Sequence, residues 1–495
     1  MSMIVKNKNL FLFLLFLLLS FLFNLFCLNS LSVLTEHEGY DSCVFKQMGL
    51  ALVQGKELYK DLFDHKGPII FYINALAIYL NVGRWGLFLL HVLNYTAVFY
   101  LWYKICLLFG CKYKSSFLVI VSGLMLYVTL STIEGNRIED WIMFPLSYGV
   151  YVGLKDVFGK STNNFDYLML GIFSGVIIFM RANSGVILFC TFVLLIYQSF
   201  ICQNVGRIIK IIFYAFVGFL LVTLSIFLHF YISWGWQGID NLIFGTFLFN
   251  FSVFNNVLEI NGWYTYLLHL CFFVISSVLC LYKKTLSPTV FIYLIGCVIL
   301  TYFLVGRAKF DYYLIIIIPL YIPVLASIFS SKRYYLLLIF LILLLAKQKI
   351  IRENISNTVM ERERYQKEFR LVDRIMDQIP QEDRTSIWNY NANVDGLQIL
   401  QRKGITQCNM VLWNHQLGYS DRLRNEIKGK LENHPPQWII VEKEKPYINK
   451  ADSLFIHNNY QIADSTYFTN RAASNKKIVF YFFKKNDDKN FQITR

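Results

Sequence analysis

Long apolar runs fill the first two thirds of the chain, and charges fall almost only between them. Residues 9–31 are nearly unbroken Phe and Leu, preceded by Lys6 and Lys8. A helix needs about 20 apolar residues to span a bilayer, and basic residues favour the cytoplasmic side. This first helix is expected to start inside and exit outside. It is long and lacks a small-residue cleavage site, so it reads as a retained helix rather than a signal peptide. Further apolar runs follow at 85–108, 116–132, 141–157, 165–180, 185–200, 211–231, 263–282, 288–305, 313–329 and 334–346. Lys112, Lys114, Lys155, Lys160, Arg207, Lys210, Lys283, Lys284, Lys332 and Arg333 fall at alternate ends, as inner loops should. Residues 69–80 are apolar but short, either a half-buried element or a tilted short span. The pattern predicts a polytopic α-helical membrane protein of about 11 to 13 transmembrane helices.

From Lys347 the pattern changes. Residues 358–379 read as an amphipathic helix ending at Pro380. Short β-like runs at 385–390, 437–441 and 478–483 then alternate with helix-like runs at 394–403 and 421–432. This predicts a small α/β domain over 347–495, after a membrane domain over 1–346. An odd number of spans from a cytoplasmic N-terminus puts that domain outside the cytoplasm.

One polar stretch stands out, residues 35–68, directly after the first apolar run. It carries Glu36, Glu38, Asp41, Asp61 and Asp64, with Lys56, Lys60, His65 and Lys66 among them. Residues 43–53 have apolar positions at helical spacing and read as an amphipathic helix lying on the membrane. A loop that only joined two helices would not need both charge signs at this density beside lipid.

Composition sharpens the class. The chain has 495 residues, 56% of them hydrophobic, and a net charge of +15. In a soluble protein that excess would suggest nucleic acid. Here it follows from basic inner loops, so no nucleic-acid partner is expected. The ten Cys lie mostly within apolar runs, without spacing for a metal or a disulfide framework. The Phe, Ile, Lys and Asn bias is that of an AT-rich bacterial genome.

Several charges sit at the outer ends of spans: Asp41, Asp64, His65 and Lys66; Glu134, Arg137, Glu139 and Asp140; Arg181; and Arg307, Lys309 and Asp311. Charges in a bilayer cost roughly 2.5–3.5 kcal/mol each on insertion scales, so they pair or line a cavity. One outward polar cavity would account for all four groups. Arg and Lys there suit a phosphate; carboxylates suit proton removal or metal binding. Of the adjacent Glu139 and Asp140, one is expected to face the cavity and one the solvent. Asp41 can also be read as an ordinary helix N-cap, and Asp64 as an exposed partner of Lys66. Aromatics such as Tyr312, Tyr313 and Trp234 read most simply as interfacial belt residues.

The order of short motifs resembles the GT-C glycosyltransferases, in the branch of the protein O-mannosyltransferases and lipid A aminoarabinose transferases. The motifs are Asp41 after the exiting helix, Gly55-x-x-x-Tyr59-x-Asp61-x-x-Asp64-His65-Lys66-Gly67-Pro68, Glu134-Gly135-Asn136-x-x-Glu139, Arg181-x-Asn183, and Gly306-Arg307-x-x-x-x-Tyr312-Tyr313. Asp311 departs from the family, where a His often precedes the Tyr pair. The resemblance implies an inverting transfer of a sugar from a polyprenyl-phosphate donor to a glycan, lipid or protein acceptor outside the bacterial cytoplasmic membrane. On it, Asp41 and Glu139 are the catalytic candidates, and Lys66, Arg181 and Arg307 hold the donor phosphate. Asp64, His65, Asp140 and Tyr312 support them. No particular cofactor is implied; a divalent metal, if used, would fall to Asp41 and Glu139, since carboxylates beside a phosphate can share a cation. The rival readings are a transporter or flippase of lipid-linked glycan, and a polysaccharide polymerase or ligase. The first would more naturally show internal repeats, and the second a long outer loop between late spans.

Overall fold

The computed structural model describes residues 2–28, 30–34, 39–80, 83–130, 134–251, 263–305, 311–331, 370–412, 414–443, 450–470 and 476–486. Arg307, Lys309 and the expected span 334–346 lie outside these residues, as does the first half of the expected helix 358–379. Along the chain come α1 (Ser2–Cys27), α2 (Tyr40–Val53), α3 (Pro68–Tyr79), α4 (Arg84–Leu108), α5 (Tyr113–Leu130), α6 (Ile138–Trp141) and α7 (Met143–Val157). Then follow α8 (Asn164–Arg181), α9 (Val186–Ile201), α10 (Val205–Ile243), α11 (Trp263–Tyr282), α12 (Pro288–Leu304) and α13 (Ile318–Ser330). After them come α14 (370–378), β1 (Ile387–Asn389), α15 (Asn393–Arg402), α16 (Asp421–Asn433), β2 (Trp438–Glu442), α17 (Lys450–Asn459), β3 (Tyr460–Asn470) and β4 (Lys476–Lys485).

Among the described residues, five stretches are long and apolar enough to cross a membrane: Asn9–Cys27, Arg84–Leu108, Asn164–Ile201, Val205–Phe251 and Tyr312–Ser330. Four shorter apolar helices accompany them, Pro68–Tyr79 among them. Five is fewer than the 11 to 13 read from the sequence, partly because some expected spans run together. Residues 164–201 join two expected spans through a 3-10 turn at Ala182–Gly185. The expected outer segment 234–261 is, up to residue 251, a continuation of α10 past a break at Gly235 (φ 65°, ψ −156°) and through a π-helical turn at Phe244–Leu248.

Packing divides the chain into two compact units, and differently from a linear division at residue 346. The first unit is Met1–Val33, Leu87–His229 and Val257–Thr358; the second is Leu34–Gly86, Phe230–Asn256 and Val359–Arg495.

The first unit is a helical bundle. Phe23 of α1 packs against Tyr95 of α4 and Tyr127 of α5, each at 5.1 Å between ring centroids. Small residues bring helices close. A Cβ on Gly171 of α8 would lie 2.0 Å from the Ala215 carbonyl oxygen of α10, so only glycine permits that crossing.

The second unit is an α/β fold on a four-stranded sheet of order β1-β2-β4-β3, with β1 and β2 parallel and the other pairs antiparallel. Side chains alternate between its faces. Ile387, Trp438, Ile440, Phe480 and Phe482 form one core with Val372, Met376 and Ile399 of α14 and α15. Trp388, Ile439, Val441 and Phe483 form another with Ile456 of α17. The polar stretch after α1 docks on this fold. Gln47 of α2 donates to the Ile405 carbonyl at 3.1 Å, and Gln401 of α15 donates back to the Cys43 carbonyl. The Phe63 amide donates to the Met410 carbonyl at 2.7 Å. The face of α2 expected to lie on lipid is therefore covered by protein, with even Gln47 buried.

Candidate active site

The expected site residues fall in both units, one group in each.

In the first unit, the group begins at a turn. Gly135 (φ 76°) and Asn136 (φ 55°) both take the left-handed conformation, which Gly and Asn tolerate best. The turn is held from both sides: the Ser30 amide donates to the Glu134 carbonyl at 2.6 Å, and the Trp141 indole donates to Asn136 Oδ1 at 3.0 Å. Arg137 then caps α6, and its N–H donates to Asp140 Oδ2 at 2.9 Å. The Tyr127 hydroxyl donates to the other oxygen of Asp140. Burial pushes the Asp140 carboxyl up to about 6, against these hydrogen bonds and the nearby Arg137 charge. Asp140 therefore organises the turn.

Glu139 is also buried, so neither of the adjacent carboxylates faces solvent as expected. It forms an ion pair with Arg181 at the end of α8. The Arg181 guanidinium lies over the Tyr313 ring, Cζ 3.6 Å from the centroid. Arg137 does the same over Tyr312 at 3.9 Å and bonds Glu134 at 2.6 Å. The two tyrosines meet edge to face at 4.7 Å. Two arginines, two carboxylates and a tyrosine pair are thus interlocked, with Arg181 14% exposed in its side chain. The anion this guanidinium holds is the Glu139 carboxylate.

In the second unit, Asp41 stands in the first turn of α2, whose N-cap is Gly39, so the N-cap reading of Asp41 does not hold. A carboxylate there is favoured by the helix dipole. Asp64 is buried and faces His65 Nδ1 at 3.3 Å. The Lys66 ammonium bonds His65 Nε2, so Asp64 and Lys66 are joined through the ring rather than as an exposed pair. Gln416 donates to Asp64 Oδ1 at 3.1 Å. Burial raises the Asp64 carboxyl, but His65 and Lys66 outweigh it and hold the group below the usual carboxylate range. Burial and the Lys66 charge lower His65, against Asp64 and Asp41, which raise it. Lys66 is seated by Tyr59, whose hydroxyl donates to the Lys66 carbonyl at 2.8 Å. Tyr59 itself is left-handed (φ 66°), a strained state for a tyrosine.

Arg307 lies outside the described residues. Among the described residues, no three His, Cys, Asp or Glu side chains are grouped as a metal ion would need. Asp41 and Glu139 belong to different units. Sequence reasoning missed Tyr127 and Gln416 and took Tyr313 for a belt residue. Gln416 is 352 residues from Asp64 and carries no sequence signal. The adjacency of Tyr313 to Tyr312 was the one available cue.

No family model matches this chain. No curated protein matches it either. Its structure does resemble a solved one. The Archaeoglobus fulgidus oligosaccharyltransferase, tethered to an acceptor peptide containing the NVT sequon, superposes with a TM-score of 0.51 at 11% identity. The match covers 89% of this chain and 70% of that one. The same enzyme in complex with Zn and sulfate gives a TM-score of 0.47 at 10% identity, over 87% and 68% of the two chains. The likeness is one of fold. The O-mannosyltransferase and aminoarabinose branch is a narrower statement than this likeness carries.

Proposed function

We propose that this protein is an inverting glycosyltransferase of the bacterial cytoplasmic membrane, with 11 to 13 spans and its α/β domain outside. It moves a sugar from a polyprenyl-phosphate donor to an acceptor hydroxyl on an envelope glycan, lipid or protein. The observation that carries this reading is Arg181. It ends an apolar helix, lies on Tyr313 and stays part-exposed beside Glu139. A fixed, stacked guanidinium at the end of an apolar helix suits the phosphate of a lipid donor. Lys66 and Arg307 are the further phosphate-binding candidates that the sequence resemblance implies. Asp41 engages the acceptor hydroxyl, and Glu139 sets the position of Arg181. The fold likeness supports the class, and the oligosaccharyltransferase that shares it was solved with an acceptor peptide, so a protein acceptor belongs among those tested.

The test is release of free polyprenyl phosphate by the purified full chain from a panel of radiolabelled polyprenyl-phosphate sugars, with envelope extract as acceptor. Acceptor-dependent release from one donor supports the reading. Movement of intact lipid across liposomes, without release, supports a flippase instead.

A further inference from the structure

His65 is held between two charged neighbours that decide its tautomer. The Lys66 ammonium has only protons to offer, so the Nε2 atom it bonds must carry the lone pair. The ring proton is then on Nδ1, facing the buried Asp64 carboxylate at 3.3 Å. Gln416 bonds that same carboxylate oxygen at 3.1 Å and lies 3.2 Å from Nδ1. The Asn250 amide fixes the His65 carbonyl at 2.7 Å, and the Phe249 ring packs on the imidazole at 5.9 Å. The His65 side chain keeps 24% of its surface exposed, against 3% for Asp64. This is a carboxylate-oriented imidazole whose basic nitrogen is covered by a cation.

We propose that His65 Nε2 is the proton acceptor of the transfer reaction and that Lys66 is its removable cap. The inference rests on the glycosyl-transfer reading and adds a residue and an order of events to it. A lipid phosphate competes with the imidazole for the Lys66 ammonium, and it wins because it adds the attraction of an opposite charge that the neutral ring lacks. Nε2 is then uncovered only when donor is bound. The acceptor O–H bond breaks and its proton goes to Nε2. The oxygen forms the new bond to the sugar's anomeric carbon. The bond from that carbon to the phosphate oxygen breaks, and its electron pair leaves with polyprenyl phosphate. The imidazolium that results is stabilised by Asp64 beside it and by Asp41, whose charge already favours protonation of the ring. Asp41 orients the hydroxyl. The charged groups acting on the ring are Asp41 from α2 and Asp64 and Lys66 from its own stretch; Gln416 and Asn250 are neutral.

The first measurement needs no turnover. The full chain, labelled with 15N-histidine in lipid bilayers, is examined by solid-state NMR, with His65 assigned by difference from His65→Gln. The expected ring carries its proton on Nδ1. Farnesyl phosphate should move the Nε2 resonance toward that of an unbonded lone pair, and Lys66→Gln should do so without lipid. A proton on Nε2, or an Nε2 resonance moved by neither change, overturns the proposal. The second measurement is transfer by His65→Gln. The account expects kcat to fall by about 10²–10⁴-fold, the usual worth of a positioned base, with donor KM unchanged and the acid limb of the pH profile abolished. Unchanged kcat and pH profile would place the base elsewhere. Absence of transfer by wild type fails the glycosyl-transfer reading, while the NMR result tests His65 and Lys66 independently of turnover.

Discussion

Arg181 and Glu139 are ion-paired inside the first unit, with the Glu139 side chain only 2% exposed. Breaking a buried pair from one side costs about 3–5 kcal/mol, because the remaining charge loses its compensation. Glu139→Gln and Arg181→Gln should each lower the unfolding midpoint markedly. The double variant should be less destabilised than their sum, and thermal denaturation of all four proteins in one detergent reads that coupling.

Arg181→Lys keeps the charge but loses the planar fork and the stack on Tyr313. The stack contributes roughly 0.5–2 kcal/mol. Donor KM should rise about 10-fold with a smaller effect on kcat, measured by initial rates over a donor series.

Asp140 gives a pH signature with a definite sign. Its carboxyl is raised from 3.8 to about 6 in the folded protein. The folded state therefore binds the proton more tightly, and stability falls as pH rises through that window. The full swing is on the order of 3 kcal/mol. Asp140→Asn removes it. The midpoint of the variant should gain on wild type from about pH 4 to pH 6 and then level off, in paired melts across that range. Tyr127→Phe removes a donor to the ionised form and should move the window to higher pH.

Gly245 abuts Tyr59, and a Cβ there would lie 2.1 Å from the Tyr59 ring. Gly245→Ala should cost about 1–3 kcal/mol by overpacking. Because the Tyr59 hydroxyl holds the Lys66 carbonyl, the same change should weaken farnesyl phosphate binding, read by titration calorimetry. Gly429→Ala, where the added Cβ meets nothing, is the control.

Much of this was legible where a local pattern decides the outcome. The runs at 385–390, 437–441 and 478–483 became β1, β2 and β4, and 394–403 and 421–432 became α15 and α16. β3 escaped because Tyr460–Asn470 carries Asp, Ser and Ala rather than a β-branched run, and its order comes from pairing with β4. The docking of residues 39–80 on the α/β fold was not legible, since it depends on partners about 350 positions away, as between Gln54 and the Gly404 carbonyl. Charge alone marked Glu139, Arg181, Asp64 and Lys66 as worth attention. It did not reveal that Asp140 would turn to Tyr127, or that His65 would separate Asp64 from Lys66. Those pairings are set by the turn at Gly135 and Asn136 and by the seat under Lys66.

The central claim is sugar transfer from a lipid phosphate with Asp41 acting at the acceptor. Its most direct test compares wild type and Asp41→Asn in the donor-panel assay, with donor binding measured on both. The account predicts labelling by wild type from one donor, at least about 100-fold slower labelling by the variant, and equal donor binding. Full activity in Asp41→Asn, or no labelling by wild type from any polyprenyl-phosphate sugar, would contradict it.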